Sequence, residues 1–260
     1  MTILHALILG IVQGLTEFFP VSSSAHLRLA KWLMGIPDGE HLLFFDLLCH
    51  SGTLLALILY LRKEIFAALA NMKSLLLFAL ALFPLVPAYF LLKPIRVALS
   101  KPEYLGYFLI VTALLLFAAS RKKQAKEDGK ASPKVKDVLC IGFMQAMALI
   151  PGISRSGSTI ATARLLGWQW SSAARFSFLL AIPAILGGQA LEILKNLSSE
   201  ESVFATVPLS SYAIGFFASF ALGLLGVRFV FWIYEKGSVS PFAWYCLGIG
   251  LFALWTQHGS

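Results

Sequence analysis

Charge is what this sequence has least of. Asp, Glu, Lys and Arg make up 13% of its 260 residues, about half the share of an ordinary soluble domain. With 58% hydrophobic residues and a mean hydropathy of +0.79, the chain has too little polar surface to cover a water-facing globule, which excludes a soluble fold. An integral membrane protein is expected instead. Acidic residues are scarcer still, 13 against 21 Lys and Arg, for a net charge of +8. That excess does not indicate a nucleic-acid partner, because the bases concentrate in the short gaps between apolar runs, where they orient spans and meet lipid headgroups. Cysteine is also sparse: Cys49, Cys140 and Cys246 have no CxxC or metal-ligand spacing, which leaves them as packing thiols. A basic leader and a small-residue cleavage site are both missing ahead of Gln13 and Glu17, so the first apolar segment is expected to belong to the mature protein.

What is there is a series of apolar segments. At about 20 residues per crossing, six read as ordinary spans, near 42–61, 74–92, 104–120, 173–195, 208–231 and 239–256. Two further segments, near 3–34 and 135–168, are each cut by a polar break. The first break is Pro20-Val21-Ser22-Ser23-Ser24, and the second is Pro151-Gly152-Ile153-Ser154-Arg155-Ser156-Gly157-Ser158-Thr159. Proline removes a backbone donor and clashes with the preceding turn, so a helix should stop at each break, and a following serine can cap the next helix. Non-helical backbone at membrane depth is tolerated only where protein or a water-filled cavity satisfies it. The fold class expected is therefore an all-α integral membrane protein of six spanning helices plus two re-entrant helical hairpins, whose tips line a polar cavity.

The basic loop at about 121–134 is expected in the cytoplasm. Tracing outward from it puts Arg62, Lys63, Lys73, Arg228 and Lys236 on the same side, and Glu192, Glu200 and Glu201 outside. Gly10-Ile11-Val12-Gln13 precedes the first break as Gly142-Phe143-Met144-Gln145 precedes the second, and three plain spans follow each. An odd number of spans turns the second copy upside down, so residues about 1–120 and 135–256 read as an inverted-topology repeat with a shared site between the broken helices.

Hydroxyls, glycines and a guanidinium in one short turn suit phosphate: glycine lets N–H groups approach, and arginine pairs with two oxygens. Ser154 is placed to cap a helix opening with Arg155, with Ser156 and Thr159 adding hydroxyl donors, and a helix start favours anions. In the first segment Gln13 and Glu17 are four apart and share a helix face. A carboxylate in apolar sequence is a functional hypothesis by default; Glu17 could hold a divalent cation or act as acid or base. His26, beside Ser22 and Ser23, is the candidate general acid/base. His50 is read as a packing residue, and Arg164 and Arg175 as interfacial anchors.

These residues resemble the undecaprenyl-diphosphate phosphatase family, bacterial membrane enzymes also known for conferring bacitracin resistance. Gln13-Gly14-Leu15-Thr16-Glu17 with the following serine-rich turn and His26 is similar to that family's (Glu/Gln)-xxx-Glu motif, and the second break to its Pro-Gly-x-Ser-Arg-Ser-xx-Thr motif. The stretches at 46–55 and 176–183 also look familial, so the resemblance covers nearly the whole chain. It implies removal of the terminal phosphate of undecaprenyl diphosphate, a polyprenyl lipid substrate, in the bacterial cytoplasmic membrane, with the site facing outward. Carried onto this chain, the functional residues are Glu17, Ser23, His26, Ser154, Arg155 and Thr159, with Gln13 where the family often has glutamate. A magnesium or calcium ion is the implied cofactor, with Glu17 and Gln13 as its candidate ligands. The nucleophile stays open among water, Ser23 and His26, and a homodimer is a further candidate assembly. The rival class is a lipid-phosphate transporter, since inverted repeats and broken helices also build transporters. Phosphatidic-acid-type lipid phosphatases are disfavoured, because no Lys-x6-Arg-Pro motif is present and no histidine follows the second break until His258.

Overall fold

The computed structural model describes residues 1–37, 42–122, 133–197, 207–237 and 239–258. Among them the chain is helical throughout, without a strand. Five stretches are long and apolar enough to cross a membrane: Leu43–Tyr60, Met72–Leu91, Pro102–Arg121, Trp170–Lys195 and Leu209–Lys236. The outward surface is apolar too, with Phe66, Leu91 and Leu209 each more than 70% exposed, which suits lipid and not water. The protein is a multi-pass membrane protein.

The first broken segment forms α1 (Ile3–Thr16) and α2 (Ser23–Leu33). Thr2 opens α1 by accepting the His5 N–H at 3.2 Å, and the helix unwinds ahead of Pro20, which has no N–H to continue it. The second forms α9 (Val135–Met147) and α10 (Arg155–Leu165). In both, the two short helices pack on each other. The serine cap expected on α10 is present: Ser154 Oγ accepts the Gly157 N–H at 3.0 Å.

The first span is α3 (Leu43–Tyr60), followed by a short α4 (Arg62–Leu69). The stretch expected as one span at 74–92 is divided into α5 (Met72–Leu82) and α6 (Leu85–Leu91) at Pro84, followed by a short α7 (Lys93–Leu99). After a 3-10 turn at Pro102–Tyr104 come α8 (Leu105–Arg121), and later α11 (Trp170–Leu197), α12 (Leu209–Lys236) and α13 (Ser240–His258). The apolar part of α13, Ser240–Thr256, is shorter than the five long stretches. The centre of the basic loop and the Glu200-Glu201 gap lie outside the described residues.

Helix α1 packs on α12 and α3, α9 on α5, α10 on α8 and α9, and α8 pairs with α13. Small residues permit the closest approaches, since lipid provides little hydrophobic drive between helices. A Cβ on Gly142 would stand 2.2 Å from the Ala81 carbonyl oxygen of α5, and one on Gly10 2.7 Å from that of Gly215 on α12. Beneath the breaks runs an aromatic ladder, Phe18 to Phe178 at 5.8 Å and Phe178 to Phe231 at 5.5 Å.

Arg164 corrects an expectation. It is not an interfacial anchor but is buried, donating to the carbonyls of Trp168 at 3.0 Å and Lys122 at 2.7 Å and lying over the Trp170 ring. The polar partners missing from its local sequence are backbone carbonyls at the ends of α10 and α8. Arg175 remains half exposed and pairs with Glu64.

Candidate active site

The two breaks meet tip to tip. Ser156 Oγ donates to the Phe19 carbonyl at 3.0 Å, and a Cβ on Gly157 would lie 3.2 Å from the Pro20 carbonyl. Thr112 of α8 supports the second tip from behind: its hydroxyl donates to the Gly152 carbonyl at 3.2 Å and accepts the Ser154 N–H at 3.0 Å. The first tip is strained. Ser22 has φ 69°, the only positive-φ residue other than glycine among the described residues, and it gives α2 no side-chain cap. Helix α2 is held at its other end by Lys31, whose ammonium meets Asp46 of α3 at 2.6 Å.

Glu17 is the centre of the junction and is only 6% exposed. Its Oε1 accepts from Arg155 Nη2 at 2.5 Å. Its Oε2 accepts from Ser23 Oγ at 2.8 Å and from Gln13 Nε2 at 2.9 Å. One carboxylate therefore ties a guanidinium from the second segment to a hydroxyl and an amide from the first. A buried charge pair of this kind persists only when further hydrogen bonds satisfy both ions. Arg155 leaves one position open: its Nη1 is buried and has no partner among the described residues. Gln13 Oε1 is likewise buried without a partner.

A cavity of about 330 Å³ opens beside this cluster, lined by Glu17, Ser22, Ser23, Ser154, Arg155 and Ser156. Gln189 of α11 closes one wall, donating to the Leu47 carbonyl of α3 at 3.1 Å. His50, read from sequence as packing, also lines it; its Nδ1 is 2.7 Å from Gln13 Nε2 and 3.4 Å from Glu17 Oε2.

Three expected site residues lie apart from that wall: Gln13, buried behind Glu17, and His26 and Thr159. His26 turns towards α13, with Nδ1 2.8 Å from the Ser22 carbonyl and Nε2 2.9 Å from Tyr245 Oη, and its ring stacks on that tyrosine. Thr159 is buried one turn into α10 and shares a 2.6 Å hydrogen bond with Ser177 of α11. Thr112 is the residue that sequence reasoning passes over, and His50 the one that it reads as packing. For Thr112 no local signal exists, since it is one hydroxyl in an apolar span. For His50 the polar run from Asp46 to Thr53 was the available hint.

Chemically, a hydroxyl donating to a buried carboxylate can serve as a nucleophile beside a base. A guanidinium with a spare donor next to it fits an anion that reacts there. Among the described residues no three His, Cys, Asp or Glu side chains converge as a closed metal cage. The oxygen donors that would hold a magnesium or calcium ion are Glu17 and the orphaned Gln13 Oε1.

Known proteins give an independent comparison. Residues 6–252 match the family described as Bacitracin resistance protein BacA. The chain is 41% identical over 257 residues to a Protochlamydia amoebophila protein named undecaprenyl-diphosphatase, covering 96% of this chain and 97% of that one. A Christiangramia forsetii protein of the same name is 37% identical over 266 residues, covering 98% of each chain. One from Parabacteroides distasonis is 39% identical over 262 residues, covering 96% of each.

Proposed function

The chain belongs to the bacitracin resistance protein BacA family, and on that premise we propose that it is a membrane phosphatase hydrolysing undecaprenyl diphosphate to undecaprenyl phosphate and inorganic phosphate. This is the activity its relatives are named for, and it recycles the carrier lipid for cell-wall synthesis. The observation that carries the mechanism is the convergence of Ser23 Oγ and Arg155 on the two oxygens of Glu17.

Arg155, through its open Nη1, and the uncapped N–H groups at the start of α2 hold the terminal phosphoryl oxygens, where negative charge spreads during transfer. Ser22, Ser154 and Ser156 line the same space and orient those oxygens by hydrogen bonding. Ser23 Oγ attacks the terminal phosphorus as its proton passes to Glu17. The bond from that phosphorus to the bridging oxygen breaks, and undecaprenyl phosphate leaves. Water then cleaves the phosphoserine, releasing phosphate and returning the proton to Ser23. His50 Nδ1 accepts from Gln13 Nε2 and so fixes the amide that also donates to Glu17. His26 acts as a positioning residue, holding the Ser22 carbonyl and with it the first turn of α2, while Thr159 ties α10 to α11. When bound, a magnesium or calcium ion held by Glu17 and Gln13 Oε1 would neutralise diphosphate charge.

The architecture proposed is six spans, α13 being the sixth, with α1–α2 and α9–α10 as re-entrant hairpins of an inverted repeat. Exchanged packing supports it. The matched glycines Gly10 and Gly142 each press on the second span of the other half, α12 and α5. The last spans of the two halves, α8 and α13, pair with each other, while α10 packs on α8 and His26 of α2 meets α13. The cavity faces the outer side of the cytoplasmic membrane, and the polyprenyl chain runs out into the bilayer.

The test is phosphate release from undecaprenyl diphosphate by purified protein in detergent, with and without chelator. Release that stops on chelation and returns with magnesium or calcium is expected. Absence of release under every condition would sink the phosphatase assignment and favour transport, which liberates nothing.

A further inference from the structure

A second polar cavity, of about 470 Å³, lies at the opposite end of α3 from the phosphatase site and shares no lining residue with it. From His50 to Tyr60 is ten residues of helix, about 15 Å at 1.5 Å per residue. Beside the end of α3, three helices supply the cavity's charged groups. Arg62 and Lys63 come from the start of α4, Arg175 from α11, and Arg228 from α12, against the carboxylates Glu64 and Glu235. One carboxylate is already engaged, since Glu64 accepts from Arg175 at 3.3 Å. Among the described residues Arg62 reaches only a carbonyl of its own corner, Leu59 at 3.4 Å. No ion pair among the described residues uses Lys63 or Arg228. The cavity thus keeps an excess of cationic donors.

Its floor is of another character. Leu61, Leu224 and Phe231 line it, with the Tyr60 ring stacked on Phe231 at 5.3 Å. Arginines in a fixed cluster match phosphate oxygens in pairs, which a general attraction to a charged surface does not require. A cationic rim over an apolar floor between spanning helices fits a phosphorylated headgroup whose chain continues into the bilayer.

We propose that this cavity is a second anion site, binding a phosphate mono- or diester. The inference does not rest on the phosphatase assignment, because none of its residues takes part in that chemistry.

The test is native mass spectrometry of the full chain in a neutral detergent, titrated with phosphatidylglycerol, phosphatidylcholine or inorganic phosphate. Wild type should retain phosphatidylglycerol in preference to phosphatidylcholine. Arg62→Gln with Arg228→Gln should weaken that retention about tenfold, while Lys93→Gln with Lys101→Gln, which removes as much charge elsewhere, should not. Arg62→Lys with Arg228→Lys, which keeps the charge, should fall between, and it serves if the glutamine pair fails to fold. Phosphate release from undecaprenyl diphosphate in detergent should be the same in all folded variants. Displacement of the lipid by inorganic phosphate would mark the free anion as sufficient, and resistance to displacement would mark the lipid as the ligand; either outcome supports the site. Equal retention by wild type and the glutamine pair, or no preference over phosphatidylcholine, would overturn it.

Discussion

The two broken segments share a plan and differ in how their tips are held. The second tip is capped and unstrained: Gly152 takes φ 98° without a Cβ penalty, Ser154 caps α10, and Thr112, reaching across from α8, bonds the backbone on both sides of the turn. The first puts a serine at φ 69°, where an L residue costs roughly 1–3 kcal/mol, and leaves α2 without a side-chain cap. It is steadied from both sides, by Ser23, Gln13 and His26 of its own segment and by the second tip, through Ser156 to the Phe19 carbonyl and Arg155 to Glu17. The hydroxyl and carboxylate proposed to react thus ride on the strained tip, and the proposed clamp on the other. Strain sustained by its surroundings is characteristic of active sites.

Removing the chemistry from the strained tip should have the largest effect. Ser23→Ala is expected to lower kcat for phosphate release by about 10⁴-fold, and Glu17→Gln by roughly 10²–10⁴-fold, with unchanged helical circular dichroism; near wild-type turnover in either would break the contrast between the tips. Weakening the clamp comes next. Arg155→Lys keeps the charge but loses the planar fork, and should cost about 10²-fold in kcat. A lysine enzyme with normal kcat would show that the second tip contributes only charge.

Smaller effects sharpen the comparison. His26→Ala should lower kcat by misplacing the first turn of α2, with partial rescue by His26→Asn, whose amide can reach the Ser22 carbonyl; an equal loss in both variants would point to direct chemistry by the imidazole. Thr112→Val leaves a buried carbonyl and N–H without partners, and should destabilise the protein by about 1–3 kcal/mol, read as a lower midpoint of thermal unfolding in detergent. Ser22→Gly relieves the left-handed backbone and should raise that midpoint slightly, by up to about 1 kcal/mol equivalent. A fall would mean that the serine side chain contributes more than its backbone costs.

Much of this was legible in the residue order. Glu17, Ser23 and Arg155 stand in or beside breaks that no spanning helix would carry without reason, and Ser23 and Arg155 converge on the Glu17 carboxylate. The division of the second span followed from Pro84 but was not anticipated, because composition over 74–92 is uniformly apolar. His50 was read as packing since nothing local ties it to Gln13, 37 residues away. Arg164 was read as interfacial because its partners are carbonyls, which every residue has and no sequence pattern marks.

Composition and local chemistry were decided by the sequence alone: too few charges for water, apolar runs of membrane length, and proline-led breaks carrying hydroxyls, a carboxylate and a guanidinium. Those properties depend on neighbours a few residues apart, so they survive any folding of the chain. Which groups meet was decided only by the tertiary structure. Arg155 and Glu17 are 138 residues apart, and they touch because glycines such as Gly10 and Gly142 let helix backbones approach closely enough to bring the two tips together. The same packing turned His50 into the cavity and His26 towards Tyr245. Side-chain direction at a helix junction is set by how whole helices seat against one another, and no short stretch of sequence encodes that.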